Sequence, residues 1–319
     1  MIPHEWIERA AQRIAPYVHK TPLTHDAQRD LYLKWENRQV TGSFKPRGAL
    51  NKVLTLEDWE RSSGLVAASA GNHGQGVALA GKITGAPVEV FVSEHAVPSK
   101  VQAMRELGAE VHAVPGGYAE AEAAGRQYAR QQQRVFVSPY NDGQVIAGQG
   151  TIGLEILQEL GDTNVVTWIV PAGGGGLISA LGTLFSHMTP CPRLVGVQAA
   201  ASPFTDSLFH RHTQQGVLDL PTLADGLSGA VEEGSVTIPM MERYVDDFLT
   251  VSEDEIARAI AFAAYVYGEK IEGSAAVALA AALNGRISDR PAVIILTGGN
   301  IDPDVYHKII QDHAGEHWA

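Results

Sequence analysis

The sequence predicts an α/β fold with open, mainly parallel twisted sheets flanked by helices. Short apolar runs rich in Val and Ile alternate with longer amphipathic stretches along the 319 residues, and this alternation is typical of parallel sheets joined by crossover helices. Most of the runs are continuously apolar, as expected for strands that helices cover on both faces. Gly-rich segments follow several of the runs, at the carboxyl ends of strands where open α/β sheets bind their ligands.

Each predicted strand is a short apolar run, and each predicted helix is an amphipathic stretch between two such runs. In chain order the predicted strands are Leu31–Glu36, Leu65–Ser69, Val88–Val92, Glu110–Val114, Val135–Ser138, Val165–Val170, Leu194–Gln198, Phe248–Val251 and Ala292–Thr297. The predicted helices are Gly74–Thr84, Ser99–Leu107, Tyr118–Gln133, Ala147–Leu160 and Ile256–Tyr267. The last helix follows a capping box, Ser252-Glu253-Asp254-Glu255, whose Ser and Glu side chains can bond free main-chain amides. Pro46 suits a first helical turn and indicates another helix start at Lys45.

Charge and composition exclude several classes of partner. Lys and Arg number 24, Asp and Glu number 36, and the formal net charge is −12, so the field of the protein repels nucleic acid and anionic lipid. No apolar run reaches the length of about 18 residues that a membrane helix needs, and the first residues lack the pattern of a secretory signal. Cys191 is the only cysteine, which excludes an intrachain disulfide and favours a reducing cytoplasm. We therefore expect a cytoplasmic protein that binds neither nucleic acid nor a membrane.

Four consecutive glycines, Gly173, Gly174, Gly175 and Gly176, precede a predicted helix that starts near Leu177. Main-chain amides without side chains at a helix N-terminus form an anion-binding nest, and the helix dipole adds to it. The segment is not a P-loop, because no Gly-Lys-Ser/Thr follows, and its spacing departs from a dinucleotide fingerprint. The alternative is a tight turn, for which one or two glycines would serve. The run of four therefore predicts a phosphate site.

The segment Thr41-Gly42-Ser43-Phe44-Lys45-Pro46-Arg47-Gly48-Ala49 contains a second candidate, Lys45. A helix N-terminus and partial desolvation both lower the pKa of an amine. A neutral lysine is a nucleophile toward carbonyl carbons, as in Schiff-base chemistry. A solvated surface lysine is the commoner outcome for this residue type. Combined with a phosphate site, however, Lys45 indicates an aldehyde cofactor with a phosphate arm, which is pyridoxal 5'-phosphate.

The stretch from Trp35 to Ala49 resembles the Schiff-base lysine segment of the serine/threonine dehydratases (threonine ammonia-lyases) and serine racemases. These are fold type II pyridoxal-phosphate enzymes, similar to the tryptophan synthase β subunit. The resemblance covers nearly the whole chain, and an ordered set of motifs carries it. These motifs are Ser69–His73, Ile146–Thr151, Gly173–Gly176, Leu223–Gly226, Val245–Asp247 and Thr297–Asn300.

The resemblance implies a role for each candidate residue. The cofactor-binding residues would be Phe44, Lys45, Asn72, Gly173, Gly174, Gly175, Gly176, Leu177 and Thr297. Lys45 would hold the cofactor as a Schiff base and act as the base at the substrate Cα, while Asn72 would bond the phenolic oxygen of the ring and Thr297 its nitrogen. The turn that receives the substrate carboxylate would contain Ser69, Ala70, Gly71, Asn72 and His73.

Two departures from the family pattern bear on the activity. Racemases of this group carry a serine at the position of Ala70, where it acts as acid and base on the face opposite the lysine. Alanine cannot act in this way, so the sequence favours elimination, which needs the lysine alone. Metal-dependent members place acidic residues where this chain has Gln198 and Phe204. We therefore assign no metal ligand and do not expect a bound divalent cation.

The predicted function is a pyridoxal-phosphate-dependent dehydratase (ammonia-lyase). It would convert a β-hydroxy amino acid such as L-threonine or L-serine to a 2-oxo acid and ammonia by α,β-elimination. The alternatives are a serine or other amino-acid racemase and a dehydratase of hydroxyaspartate or phenylserine. A β-replacement enzyme fits less well, because its lysine segment typically reads Ser-x-Lys-Asp-Arg. A sensor that binds the cofactor or an amino acid without turnover also fits less well, because Lys45, Asn72 and Thr297 are all present.

The resemblance also implies two domains and a homodimer or homotetramer. Residues 1–52 and 145–319 would form a large cofactor-binding domain, and residues 53–144 a small domain inserted into it. The active site would lie in the cleft between them. We expect the cleft to close on a small amino-acid substrate, because closure expels water from a carbanion.

Overall fold

The computed structural model describes residues 1–318, and their strands form two sheets. The strands are β1 (Leu23–Asp26), β2 (Leu31–Trp35), β3 (Leu65–Ala68), β4 (Val88–Ser93), β5 (Glu110–Val114), β6 (Val135–Phe136), β7 (Thr167–Pro171), β8 (Arg193–Ala199), β9 (Asp247–Val251) and β10 (Ala292–Leu296). The helices are α1 (His4–Ile14), α2 (Lys45–Leu54), α3 (Asp58–Ser63), α4 (Asn72–Thr84), α5 (Pro98–Glu106), α6 (Tyr118–Gln131), α7 (Gly143–Leu160), α8 (Gly176–Phe185), α9 (Phe204–Arg211), α10 (Thr237–Tyr244), α11 (Glu253–Tyr267), α12 (Gly273–Leu283) and α13 (Pro303–Asp312). Within the described residues no helix combines the length and the apolar character that crossing a bilayer requires.

The larger sheet has six strands in the order β1-β2-β10-β7-β8-β9. Neighbouring strands are parallel except for β1, which pairs antiparallel with β2 at the edge. In the central strand β10, Ala292, Ile294 and Leu296 pack with α11 and α12, whereas Val293 and Ile295 pack with α7 and α8. Because alternate residues of a strand point to opposite faces, both faces of β10 enter a core, and this explains why the run has no polar position.

The smaller sheet has four parallel strands in the order β5-β4-β3-β6. All four residues of β3 are buried. Leu65 and Ala67 belong to a core shared with α2 and α4, while Val66 packs with Phe91 and with Ala129 of α6. The carboxyl end of β3 leads directly into α4, so the turn between them lies at the same edge as the other strand ends of this sheet.

The predicted fold class is confirmed, since both sheets are mainly parallel and flanked by helices. Some predicted bounds shift by a few residues, and β7 begins at Thr167 where the sequence predicts Val165. The sequence does not predict β1, a four-residue strand at the sheet edge whose two middle residues are exposed. It does not predict α12 either, because α12 is buried on nearly all sides and shows no amphipathic period.

Two helices, α2 and α7, connect the sheets along the chain, α2 before the first strand of the smaller sheet and α7 after its last. They pack so closely that a Cβ added to Gly148 would overlap the main-chain oxygen of Arg47. The boundaries expected at 52/53 and 144/145 fall inside these two helices. The division of the chain into two domains stays a prediction.

A buried ion network holds α2 to the rest of the molecule. Arg47 bonds Glu36 through Nε and Nη2 at 2.8 Å each, and bonds Glu155 at 2.6 and 3.0 Å. Lys34, fully buried on β2, lies 2.9 Å from Glu155. Each buried charge therefore has an opposite partner, which offsets the cost of desolvation. The network fixes the helix whose first residue is Lys45.

Candidate active site

Lys45 directly follows a segment that is bonded to the turn after β10. Ser43 pairs with Gly298 in an isolated bridge, and Phe44 donates its main-chain N–H to the Thr297 carbonyl at 3.0 Å. Thr297 is buried and is the first residue after the central strand of the larger sheet. The end of β10 thus positions the lysine, and the structure brings the predicted residues Phe44, Lys45 and Thr297 together.

The Lys45 amine is half-buried and has a single, weak hydrogen bond among the described residues. Its Nζ donates to the Pro139 carbonyl at 3.3 Å and lies 5.1 Å from the centroid of the Phe44 ring. Burial lowers the pKa of Lys45 to about 8, and the Glu272 carboxylate opposes part of that effect. The neutral fraction of the amine near neutral pH is therefore larger than that of an ordinary lysine, as attack on a carbonyl carbon requires.

The four glycines, called here the glycine turn (Gly173–Gly176), connect β7 to α8. Gly175 is the N-cap of α8 and has φ +84°, a conformation that favours glycine. In residues 1–318 no acceptor bonds the N–H groups of residues 173–177, because the first amides of a helix have no intrahelical partner. These free amides at a positive helix end suit an anion, and the predicted phosphate-binding residues share one turn.

Tyr140 forms a wall beside the glycine turn. A Cβ added to Gly174 would overlap the Tyr140 ring, so only glycine fits there. The Tyr140 hydroxyl accepts the N–H of Glu232 at 2.8 Å, and burial raises the pKa of Tyr140 to about 12. The sequence analysis missed this residue. The sequence did contain one indication of it: Tyr140 lies in the turn after β6, and ligands of open α/β sheets bind at the carboxyl ends of the strands.

The Ser69–His73 turn connects β3 to α4. The Ser69 hydroxyl accepts the N–H of Gly71 at 3.1 Å, and a Cβ added to Gly71 would meet no heavy atom within 4 Å. The N–H groups of Asn72 and His73, the first in α4, have no acceptor in the described part of the chain. The turn is therefore open and rich in free amides, as the predicted binding of a substrate carboxylate requires.

His73 is packed into the protein. Its Nε2 donates to the Val137 carbonyl at 2.8 Å, and its Nδ1 is buried without a partner among residues 1–318. A carbonyl can only accept, so Nε2 is assigned the proton. Burial, together with the charge of Lys45, lowers the pKa of His73 to about 3. His73 is thus neutral at physiological pH, and its contact with a substrate stays a prediction.

Asn72 contacts residues that flank the larger sheet. Its Nδ2 donates to Glu272 Oε1 at 2.6 Å, and its Oδ1 accepts from Asn300 Nδ2 at 2.7 Å. One N–H of Asn72 remains without an acceptor in residues 1–318. The sequence analysis also missed Glu272, a buried carboxylate whose charge acts on the pKa of Lys45. The only indication of it in the sequence was an acidic residue that comes just before the apolar stretch of α12.

The two positions that the sequence analysis compared with acidic metal ligands, Gln198 and Phe204, have structural roles here. Gln198 in β8 is fully buried, and its Oε1 accepts the N–H of Asp206 at 2.8 Å. Phe204 is buried at the start of α9. Both residues therefore support the junction between β8 and α9, and neither offers a charged ligand to a cation.

A group of possible metal ligands lies elsewhere. Oxygen and nitrogen atoms of Glu89, Glu110 and His112 approach one another within 4.8 Å. Glu89 and Glu110 lie near the amino ends of β4 and β5, and His112 lies in the middle of β5. The carboxyl ends, which carry the active-site turns, are at the opposite edge, and Arg134 already contacts Glu89. An acidic group that is already neutralised has little need of a cation, and we assign no metal to it.

The residues at the edge of the sheets fit pyridoxal phosphate. Its aldehyde needs a neutral amine, which Lys45 offers through its lowered pKa. Its phosphate needs free main-chain amides, which residues 173–177 offer. Its phenolic oxygen needs a donor, which the unused N–H of Asn72 offers. Pro139 and Tyr140 contact Lys45 and the glycine turn respectively, so these groups surround one space.

Comparison with known proteins supports the same cofactor. The family model described as pyridoxal-phosphate dependent enzyme matches residues 9–298. The chain is 41% identical over 317 residues to the L-threonine ammonia-lyase of Thermotoga maritima, covering 97% of this chain and 78% of the relative. It is 39% identical over 308 residues to the L-threonine dehydratase catabolic TdcB of Escherichia coli, covering 93% and 92%. The structure of maize serine racemase superposes with a TM-score of 0.88 at 30% identity, covering 98% of each chain.

Proposed function

The chain belongs to the family of pyridoxal-phosphate-dependent enzymes, and we propose that it is a dehydratase (ammonia-lyase) that converts a β-hydroxy amino acid such as L-threonine or L-serine to a 2-oxo acid and ammonia. One observation carries the proposal: an amine of lowered pKa, Lys45, shares a site with the free amides of the glycine turn. The relatives named L-threonine ammonia-lyase and L-threonine dehydratase support threonine as a substrate.

Pyridoxal phosphate is the cofactor of this family, and it supplies an electron sink for the α-carbanion of a bound amino acid. Lys45 would bind its aldehyde carbon, and the amides of residues 173–177 its phosphate. Asn72 would donate to the ring oxygen, and Phe44 would pack against the ring. Thr297 would meet the ring nitrogen with a neutral hydroxyl, which does not force a proton onto that nitrogen.

The protein's own groups would bind the amino acid and move its proton. The substrate carboxylate would bind the amides of the Ser69–His73 turn, at the positive end of α4. Lys45 would accept the α-proton at Nζ. A pKa of about 8 suits this exchange, because near neutral pH the amine can take up a proton and release it at little cost.

Ala70 supports elimination over racemisation. A racemase must return a proton to the substrate on the face opposite its lysine, and the methyl group of Ala70 cannot donate one. In elimination the α-proton that Lys45 removes and the β-hydroxyl leave together as one water molecule, so no second base is required. The likeness to maize serine racemase keeps racemisation as the main competing reaction on this scaffold.

The substrate assignment is tested by measuring 2-oxo acid and ammonia from serine, threonine, hydroxyaspartate and phenylserine, each as both enantiomers. We expect L-threonine or L-serine to be turned over. Lys45→Ala should abolish turnover, because it removes both the cofactor attachment and the base. Lys52→Ala, in the same helix, is the control, because Lys52 is paired with Asp142 at 2.7 Å and should leave turnover intact.

Other outcomes lead to other assignments. Turnover of hydroxyaspartate or phenylserine alone would change the assigned substrate. Formation of the D-amino acid as fast as ammonia release would identify the protein as a racemase. Bound cofactor without turnover of any amino acid would indicate a sensor. Borohydride reduction followed by peptide mapping checks the attachment site, and an adduct on a lysine other than Lys45 would contradict the proposed role.

Replacing Ala70 by serine should raise racemisation, because it restores a hydroxyl at the missing position. We expect Ala70→Ser to increase the rate of D-isomer formation by roughly ten- to a hundredfold. This is no more than the smallest rate increase that a well-positioned acid or base usually provides. Deuterium incorporation and chiral chromatography in heavy water measure it. Ala70→Gly changes the space without adding a hydroxyl and should not raise the D-isomer. An unchanged D-isomer rate in Ala70→Ser would show that this position does not face the substrate.

Location and assembly are part of the proposal. We propose a cytoplasmic homodimer or homotetramer. The single exposed cysteine, Cys191, agrees with a reducing compartment. Light scattering of the purified protein measures the assembly, and a monomer at micromolar concentration would contradict it.

A further inference from the structure

Glu272 is a buried carboxylate between the two halves of the site, and the mechanism above does not use it. The residue is 4% exposed. Its main-chain N–H donates to the Gly298 carbonyl at 3.0 Å, and its carbonyl accepts from Ala275 and Ala276 at 3.0 Å each. It is the N-cap of α12, yet its carboxylate does not bond the helix amides. The backbone is therefore fixed, and the carboxylate is free to bond another group.

That group is the Asn72 amide, at the start of a helix that flanks the smaller sheet. Asn72 Nδ2 donates to Glu272 at 2.6 Å, and Asn72 Oδ1 accepts from Asn300 Nδ2 at 2.7 Å. Asn300 Nδ2 also donates to the Thr41 carbonyl at 2.8 Å. An ionised carboxylate can only accept, so it requires the nitrogen of Asn72 on its side. The side-chain oxygen of Asn72 and one of its two N–H groups are thus already bonded. The second N–H group is left as a donor for a ligand.

A donor is the group that a phenolate oxygen needs, because hydrogen bonds to a charged acceptor are the stronger ones. A reversed amide would present its carbonyl oxygen and repel the phenolate. The charge of Glu272 also acts on Lys45, since it opposes the effect of burial on the lysine pKa. Glu272 therefore affects both residues that the proposed function assigns to the reacting end of the cofactor.

We propose that Glu272 is a positioning residue, whose carboxylate holds the Asn72 amide so that an N–H is left for the ring oxygen of the cofactor. This inference rests on the proposed function for the cofactor site, and it does not depend on which amino acid is the substrate. Because Glu272 contacts Asn72 from across the site, it also ties the turn after β3 to the turn after β10.

The inference has a pH dependence. Burial raises the pKa of Glu272 to about 7, with Asp225 raising it further, and with Lys100 and the Asn72 and Asn300 hydrogen bonds lowering it. The charged groups that face it are thus Lys45 on α2, Lys100 on α5 and Asp225. Above that pH the carboxylate only accepts and holds the Asn72 nitrogen. Below it the protonated carboxyl can donate to the Asn72 oxygen, so that only the hydrogen bond from Asn300 still favours the orientation in which the Asn72 nitrogen faces Glu272.

Binding of 4'-deoxypyridoxine 5'-phosphate to the full chain freed of cofactor tests the contact. This analogue has the ring oxygen and phosphate but no aldehyde, so attachment to Lys45 does not enter the measurement. Glu272→Ala should weaken binding about tenfold, as should Asn72→Ala. The double variant should bind no worse than Asn72→Ala alone, because Glu272 acts through Asn72. Effects that multiply in the double variant would overturn the inference.

Glu272→Gln separates charge from shape. Glutamine can accept the same hydrogen bond but does not titrate, so at pH 8 its affinity should stay within about threefold of wild type. The wild type should bind the analogue more weakly as the pH falls below about 7. Over the same pH range the affinity of Glu272→Gln for the analogue should fall less. Glu269→Gln is the matched control: Glu269 is also buried, lies on the same loop and accepts from Asn37 at 2.8 Å. It should keep the wild-type pH dependence.

The ligand's own ionisation is common to the wild type and both variants, so it cancels when their pH profiles are compared. The same pH profile for all three would overturn the inference. Thermal unfolding of each variant identifies loss of fold, and the isosteric Glu272→Gln decides the matter if Glu272→Ala does not fold. Failure of the proposed function has a different signature. The variants would behave as expected toward the analogue, while no hydroxy amino acid would be turned over.

Discussion

At the scale of single residues, the partners of each lysine distinguish the site lysine from structural ones. Lys34 is fully buried but lies 2.9 Å from Glu155, and Lys52 lies 2.7 Å from Asp142. Lys45 has no carboxylate within salt-bridge distance in the described residues, and only a carbonyl at 3.3 Å. Burial without a contacting counter-ion favours the neutral form of an amine, so Lys45 is the lysine prepared for reaction with an aldehyde.

The rate of cofactor attachment to the cofactor-free protein should follow the ionisation of Lys45. Only the neutral amine attacks, so the rate should rise as pH increases through about 8 and then level off. Stopped-flow absorbance with pyridoxal phosphate measures it. A lysine amide in solution, with a pKa of about 10.4, is the control and should still gain rate above pH 9. A protein rate that keeps rising in the same way would show that burial does not shift this amine.

At the scale of secondary-structure elements, glycines let three helices approach around the lysine. A Cβ on Gly76 of α4 would lie 3.1 Å from the main-chain carbon of Lys45, and a Cβ on Gly148 of α7 would overlap the main-chain oxygen of Arg47. Main chain cannot move aside as a side chain can, so a larger residue at position 148 would force α2 and α7 apart, and one at position 76 would be a tight fit. The position of α2, and with it Lys45, depends on this packing and on the ion network of Arg47.

Gly148→Ala should destabilise the protein and disturb the site together. We expect a loss of about 1–3 kcal/mol in the free energy of unfolding, the usual cost of overpacking, and weaker cofactor binding because α2 must shift. Urea unfolding and cofactor titration measure the two effects. Gly315→Ala is the control, since its Cβ would meet no heavy atom within 4 Å, and it should change stability by less than about 0.5 kcal/mol. A stable Gly148→Ala with normal cofactor affinity would contradict the packing argument.

At the scale of the whole molecule, ion pairs connect helices of the smaller sheet to loops of the larger-sheet half. Lys100 of α5 lies 2.7 Å from Asp225, and Arg126 of α6 lies 2.8 Å from Glu232. The main chain of Glu232 also donates to the Tyr140 hydroxyl beside the glycine turn. Contacts of this kind are polar, so they could open and re-form during the closure that the sequence predicts.

Removing both ion pairs should weaken closure on the substrate. Exposed pairs contribute about 0.2–1 kcal/mol each, so Lys100→Met with Arg126→Met should raise KM about two- to thirtyfold and affect kcat less. Arg130→Met, an exposed residue of the same helix α6, is the control. X-ray scattering with L-alanine, which has no leaving group, should show compaction of the wild type and less of the double variant. Equal scattering with and without L-alanine would contradict closure.

Local patterns in the sequence were sufficient for the fold class and for much of the site. Strands β3 and β10 are uninterrupted apolar runs, β7 is apolar apart from Thr167, and each of the three is followed by small or polar residues. Parallel strands present their carboxyl ends at one edge of a sheet, so the turns after β7 and β10 share an edge of the larger sheet. The turn after β3, in the smaller sheet, meets them through the contacts of Asn72 with Glu272 and Asn300. The free amides of the glycine turn follow from residue type and helix position, whereas Lys45 was selected by its combination with that turn and by the family resemblance.

Contacts between distant residues were decided only by the tertiary structure. Glu272 bonds Asn72 across 200 residues of chain, and Tyr140 fills the space beside Gly174. Periodicity shows which face of a helix or strand is buried, but it does not show which residue lies opposite. The residue opposite depends on how the two sheets are placed, and that placement is set by the close packing of α2, α4 and α7. The pKa of Lys45 depends on the same placement, because burial and the nearby Glu272 charge exist only in the folded molecule.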